Sequence, residues 1–407
     1  MRQYKDSEIE WIGKIPETWE VTKLNTLYTQ RNEKVSDRDY PPLSVTMKGI
    51  LPQLETAAKT DNGDDRKLVR IGDFAINSRS DRRGSCGISP YEGSVSLINT
   101  ILKPRGEMNP NYYNWLFHSS LFSDEFYKWG HGIVNDLWTT RWQEMRNIAV
   151  PSPTLEVQQH IANYLDEKCG EIDSLITLQA QMIEKLKAYK QSFITEAVTK
   201  GLDPNARLVP SGIDWIGLIP ERWKVCRFKS YIHLHNEKAS ETVEFKINLE
   251  NIESKSGRYI PTNSKYEGEG TTFKKGDVLF GKLRPYLAKV YAPENEGSAI
   301  GDIYVFRPSS QIDTTFLKYT LLADTFVTIV DSSTYGTKMP RANWEFISCV
   351  PIVVPSLSEQ QAIASYLDEK CADIDRLIAL KQQKIEKLKD YKKSVIYEAV
   401  TGKTDII

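Results

Sequence analysis

Tyr164-Leu165-Asp166-Glu167-Lys168-Cys169 recurs unchanged as Tyr366-Leu367-Asp368-Glu369-Lys370-Cys371, 202 residues later. Reading outward, Ile183–Lys187 (IEKLK) returns as Ile385–Lys389, and Glu196–Thr199 (EAVT) as Glu398–Thr401. Trp11-Ile12-Gly13-Lys14-Ile15-Pro16-Glu17-Thr18-Trp19 returns as Trp215-Ile216-Gly217-Leu218-Ile219-Pro220-Glu221-Arg222-Trp223, at a spacing of 204. The spacing shifts by only two residues, so the chain is one plan written twice. Between the matched blocks the halves diverge. A duplicated frame with two private surfaces fits a reader of two different targets held at a fixed distance.

The repeated blocks are helical in pattern. Ile161, Leu165, Ile172, Leu175, Ile176, Met182, Ile183, Leu186 and Tyr189 recur at helical spacings of three, four and seven and predict a helix over 155–200. Ile363, Leu367, Ile374, Leu377, Ile378, Ile385, Leu388 and Tyr391 predict its copy over 357–402. Each is about 44 residues, or roughly 65 Å at 1.5 Å per residue. Neither is apolar all round, so each needs a partner, and the obvious partner is the other copy. Gln179 and its equivalent Lys381 are polar residues within the seam, the kind that fixes register. Gly201 ends the first helix, and Pro204 and Pro210 prevent its resumption.

The divergent stretches read as small mixed α/β domains. Gly72-Asp73-Phe74-Ala75-Ile76 and Gly276-Asp277-Val278-Leu279-Phe280 predict turn then strand at matching positions, and 111–127 and 314–330 predict helix. The expected fold class is α+β: two mixed α/β domains separated by two long antiparallel coiled-coil helices, with an internal pseudo-twofold repeat. Residues 1–19 open the scaffold and 20–154 form the first variable domain. Residues 155–201 form the central helix, and 202–223 a linker with the repeated scaffold entry. Residues 224–354 form the second domain and 355–407 the C-terminal helix. Joining the two termini would rebuild the central junction.

Composition narrows the class. The chain has 407 residues, 40% hydrophobic and 26% charged, with a net charge of −1. That balance suits a globular protein and disfavours coating nucleic acid on charge alone. No apolar run of membrane-spanning length is present, and the expected location is the cytoplasm, with no membrane partner. The five scattered cysteines form no CxxC pair, so no metal site is expected. Cys169 and Cys371 are read as small apolar packing residues.

The layout resembles the specificity (S) subunit of Type I restriction–modification systems over essentially the whole chain. The marks are Pro151-Ser152-Pro153-Thr154-Leu155-Glu156-Val157-Gln158-Gln159 and Val354-Pro355-Ser356-Leu357-Ser358-Glu359-Gln360-Gln361, each leading into I-A-x-Y-L-D-E-K. Gly276 to Tyr286 (GDVLFGKLRPY) also resembles a segment of that family's target-recognition domains. The first half departs there, with Asn77-Ser78-Arg79 in place of Gly281-Lys282-Leu283. The resemblance implies two target-recognition domains, each reading half of a split asymmetric sequence in double-stranded DNA. It implies a helical ruler between them and docking of two methyltransferase subunits, through which motor/nuclease subunits join. The chain itself would need no cofactor, with S-adenosylmethionine, ATP and Mg belonging to the partners.

Reading DNA requires cations for phosphate and forked or amide side chains for base edges. Eight basic residues against three acidic ones lie in 66–105, and five against one in 273–292, around the same Gly-Asp turn. The candidate contacts are Arg79, Arg82, Arg83, Asn135, Thr139 and Arg141 in the first domain. In the second they are Lys274, Lys282, Arg284, Tyr286, Lys289, Thr337, Lys338 and Arg341. Trp11, Ile15, Trp19, Trp215, Ile219 and Trp223 are candidates for partner docking, or else lids on their own helices. No catalytic set is expected. Thr401-Gly402-Lys403-Thr404 lacks the upstream glycine of a phosphate loop and follows a helix. Asn109-Pro110-Asn111-Tyr112 lacks the second proline of a base-holding motif and reads as a turn into a helix. His233 and His235 share a strand face but lack a third ligand. A coiled-coil scaffold that binds protein, a subunit serving a methyltransferase alone, and a cryptic base methyltransferase are the other readings. The basic clusters oppose the first, and the missing cofactor loop opposes the last.

Overall fold

The computed structural model describes residues 3–53, 63–132, 138–240, 242–264, 266–334 and 338–406. The chain forms two compact units, one of residues 1–179 with 383–407 and one of residues 180–382. The first unit is thus assembled from both ends of the chain. Each long helix gives one part of its length to each unit.

In the first unit the strands β1 (Tyr28–Arg31), β2 (Phe74–Asn77), β3 (Cys86–Ile88) and β4 (Asn99–Pro104) form an antiparallel sheet in the order β3-β2-β4-β1. Helices α1 (Pro110–Phe117) and α2 (Ser120–Lys128) share its core through Tyr112, Phe117, Phe122 and Phe126. The long helix α3 (Leu155–Lys200) follows. In the second unit β5 (Ile232–His235), β6 (Val278–Gly281), β7 (Val290–Tyr291) and β8 (Ile303–Pro308) form a sheet in the order β7-β6-β8-β5. This is the same order, strand for strand. Helices α4 (Thr314–Leu322) and α5 (Asp324–Ser332) precede the long helix α6 (Leu357–Val400).

The predicted single helices over 111–127 and 314–330 are each broken in two. Ser119 leaves helical geometry and caps α2 by accepting from the Phe122 N–H, and Ala323 breaks the second pair in the extended region. Apolar spacing runs through both breaks, which is why periodicity alone joins them.

Repeat-equivalent residues hold the frame. Asp73, at the Gly-Asp turn, accepts from the Arg70 N–H and pairs with Arg31. Asp277 accepts from the Lys274 N–H and pairs with Arg307. Gln158 accepts from the Asn109 N–H at 2.8 Å and donates to the Pro153 carbonyl. Gln360 accepts from the Asp313 N–H at 2.9 Å and donates to the carbonyls of Gln311 and Pro355. These buried amides lock the start of each long helix to the cap of the domain helix above it.

The helices pair within each unit. In the first unit Lys392 binds Asp173 at 2.7 Å, and Leu165 and Cys169 share a core with Val395, Ile396 and Ala399. In the second unit Lys190 binds Asp375 at 2.7 Å, while Phe193 meets Tyr366 and Lys381 meets Met182, so the pairing is antiparallel. Asp173 and Asp375 are repeat equivalents, as are Lys392 and Lys190. The same ion pair is made twice.

Candidate nucleic-acid interface

The structure brings together two loops that lie far apart in the sequence, and it does so in both units. In the second unit the Ala342 N–H donates to the Lys282 carbonyl at 2.8 Å, and the Arg284 N–H donates to the Pro340 carbonyl at 2.8 Å. Leu283 and Arg341 face each other in an antiparallel bridge. In the first unit the Thr140 N–H donates to the Ser78 carbonyl and the Ser80 N–H to the Trp138 carbonyl, both at 2.9 Å. Arg79 and Thr139 form the equivalent bridge. The backbone frame is common, and the side chains it presents are not. The bridge carries an arginine on its first strand in one unit and on its second in the other.

In the second unit Arg284 stands at φ 53°, in the left-handed region, which turns its side chain out of the strand path and leaves it exposed. Tyr286 is 45% exposed on the turn that follows, above the buried Pro285. Lys338 and Arg341 are exposed on the opposing segment. Lys282 is half-buried, its ammonium 3.7 Å from Asp302 and over the Tyr304 ring. Arg341 grips Asp302 with Nε and Nη2 at 3.0–3.2 Å, and this carboxylate raises the Arg341 pKa. In the first unit Arg82 and Arg83 are exposed beside the bridge, Arg83 pairing with Asp124 at 3.0 Å and lying over the Tyr127 ring. Arg141 is exposed, and its N–H donates to Glu144. Asn135 and Thr337 lie outside the described residues.

Some residues of the basic clusters point elsewhere. Lys289 donates to the carbonyls of Leu249 and Ile252, and burial lowers its pKa. Its ammonium is committed to the fold. Arg66 is buried on Ser94, and Lys67 donates to the Asn99 carbonyl. Lys274 remains exposed at the Gly-Asp turn. Counting charges along the sequence overstates both basic surfaces, because the count is blind to direction.

The tryptophan blocks prove to be lids. Trp11, Ile15 and Trp19 are buried in one core with Val395, Ile396, Ala399 and Val400. Ile219 and Trp223 are buried and Trp215 is half-buried, against Ile194, Ala197 and Val198. Gly402 and Gly201 end the two helices at φ 71° and 78°, and each lies directly under the second tryptophan of its block, where a Cβ would meet the ring. Five of the six side chains are buried in the chain's own cores and Trp215 is half-buried, so all six pack on their own helices. The remaining sequence candidates are structural as well. Asn109 caps α1 by accepting from the N–H groups of Asn111 and Tyr112. Lys403 lies over Tyr397 at a helix end. His235 meets Thr272 at 2.7 Å. Among the described residues, no three metal-binding side chains come together, and no helix is long and apolar enough to cross a membrane.

Sequence reasoning missed Asp302. It lies outside the basic window, and its counterpart in the first unit is Ile98, so no pattern marks it. Only the bridge shows that its carboxylate faces Arg341.

Comparison with known proteins points one way. Residues 220–390 match the family model for the type I restriction modification DNA specificity domain. The chain is 24% identical over 436 residues to the type I restriction enzyme MjaVIII specificity subunit of Methanocaldococcus jannaschii, covering 99% of this chain and 97% of that one. It is 23% identical to the EcoDI specificity subunit of Escherichia coli, covering 96% and 89%. A chain solved in work on complex assembly and conformational transition of the type I R-M system superposes with a TM-score of 0.71 at 14% identity, covering 95% of this chain and 98% of that one. The HsdS subunit from Thermoanaerobacter tengcongensis superposes at 0.56 and 15% identity, covering 96% and 98%. These two likenesses show the fold.

Proposed function

We propose that the chain is a DNA specificity subunit of a type I restriction–modification system, reading a split, asymmetric DNA sequence, one half with each domain, while catalysing nothing itself. The observation that carries this reading is the bridged pair of loops. It sits at the same address in both units, is cationic at both, and is built from different side chains. Cations there hold phosphates and set register, while the bridge residues reach base edges.

The scaffold supports docking of two copies of one methyltransferase. Leu175, Leu178 and Tyr391 are 43–50% exposed in the first unit, and their equivalents Leu377, Leu380 and Tyr189 are 47–59% exposed in the second. Exposed apolar groups repeated residue for residue suit a partner that binds twice the same way. In this reading S-adenosylmethionine is held by the methyltransferase, and ATP and Mg by the motor/nuclease subunits that join it.

Modified-base sequencing of host DNA, with the gene present and deleted, tests the proposal. Loss of adenine methylation at one split motif of constant spacer supports it. An unchanged pattern, with the methyltransferase shown to be expressed, refutes it.

A further inference from the structure

Asp302, on the bend before β8, sets its carboxylate against both of the second unit's bridged segments. Its two oxygens accept from Arg341 Nε at 3.2 Å each, and Oδ2 accepts from Nη2 at 3.0 Å. The Lys282 ammonium lies 3.7 Å away. The Lys282 N–H also donates to the Asp302 carbonyl at 2.9 Å, as the Ser78 N–H donates to the Ile98 carbonyl at 3.3 Å in the first unit. The backbone contact is therefore common to both units and the carboxylate private to one. Three pairs of frame residues occur twice: Asp73 and Asp277, Gln158 and Gln360, Asp173 and Asp375. Asp302 occurs once, at the address where the domains differ in what they present.

A guanidinium held along its Nε–Nη2 edge keeps Nη1 and the second N–H of Nη2 directed away from the carboxylate. Those donors form the end-on fork that matches guanine O6 and N7. The carboxylate removes rotamer freedom before binding and offsets the charge that would otherwise draw Arg341 to any phosphate.

We propose that Asp302 is a specificity residue: it aims Arg341 at a guanine edge in the second half-site and withholds it from the phosphate backbone. The inference rests on the DNA-reading function above. The experiment measures binding of the full chain, assembled with its methyltransferase, to duplexes carrying the motif and to duplexes with the second half-site altered, over a range of salt. Asp302→Asn keeps the shape and removes the charge. It is expected to cut discrimination in favour of the guanine by about tenfold or more. It should also tighten binding to the altered duplex and steepen that duplex's log–log salt dependence by about 0.9, the signature of one added phosphate contact. Arg341→Ala should lose the discrimination too, and adding it to Asp302→Asn should abolish the extra salt dependence.

Equal weakening on both duplexes would mark Asp302 as a fold residue and overturn the inference. So would unchanged discrimination in Asp302→Asn, whether or not Arg341→Ala loses it. If the unaltered complex fails to distinguish motif from non-motif DNA, the function itself falls, and the inference with it.

Discussion

Trp19 and Trp223 occupy equivalent places, yet only one has its ring N–H satisfied. Trp223 Nε1 donates to Glu359 at 3.4 Å, whereas Trp19 Nε1 is buried with no hydrogen-bond partner among the described residues. The reason is one residue: Glu359 corresponds to Val157. Glu359 also closes a capping box, taking the Ser356 N–H and hydroxyl while its own N–H donates to that hydroxyl. Thr154 has no such acid three residues on. Val157→Glu should therefore raise the thermal stability of the first unit by roughly 0.5–2 kcal/mol, and Glu359→Val should lower that of the second by a similar amount. The Ser356 hydroxyl, more than any other group, holds the Glu359 pKa below the ordinary carboxylate value. The stabilisation from Glu359 is thus present above the unfolded pKa and lost as pH falls through the folded one. Melting curves should show the Glu359→Val difference at pH 7 and lose it in acid. Gln360 is buried with three backbone partners, and Gln360→Ala should cost about 1–3 kcal/mol for each group it strands. The sequence shows that this run recurs at Gln158 and Gln360, but which atoms it ties together is a fact of three dimensions.

The paired helices show how context sets the value of one ion pair. Lys190 is buried and its partner Asp375 largely so, whereas Asp173 is 58% exposed and Lys392 25%. Asp375→Ala should destabilise by roughly 3 kcal/mol, because it leaves an ammonium buried without its counter-charge. Asp173→Ala should cost about 1 kcal/mol or less. Double-mutant cycles with Lys190→Ala and Lys392→Ala would check the contrast, and equal coupling energies would contradict it. Burial pushes the Cys169 thiol up to about 11, so in the folded chain it should resist alkylation at pH 7. Helix bounds, the strand after each Gly-Asp turn and the packing role of Cys169 and Cys371 are legible in the sequence, because burial imposes a period on them. The break at Ser119 is not, since apolar spacing runs through it, and neither is the inward turn of Lys289, which depends on the distant carbonyls of Leu249 and Ile252.

Across the molecule, the duplication acts as an internal control. The frame is kept twice: sheet order, buried glutamines, paired aspartates and lysines, and tryptophan lids. The bridge side chains are kept once. Repeats therefore disclose the scaffold from sequence alone, and even that the two termini complete one unit, as Trp19 against Gly402 and Trp223 against Gly201 bear out. The reading surface is legible only as an address, since charge on a line does not say which cation faces outward. In the proposed function, the bridged loops of the two units read the two halves independently. Modified-base sequencing of hosts carrying the unaltered chain, Arg79→Ala or Arg341→Ala is the direct test. One split motif is predicted, relaxed in one half only by Arg79→Ala and in the other half only by Arg341→Ala, with the spacer unchanged. Both halves relaxing together under either substitution, or neither relaxing under both, would contradict it.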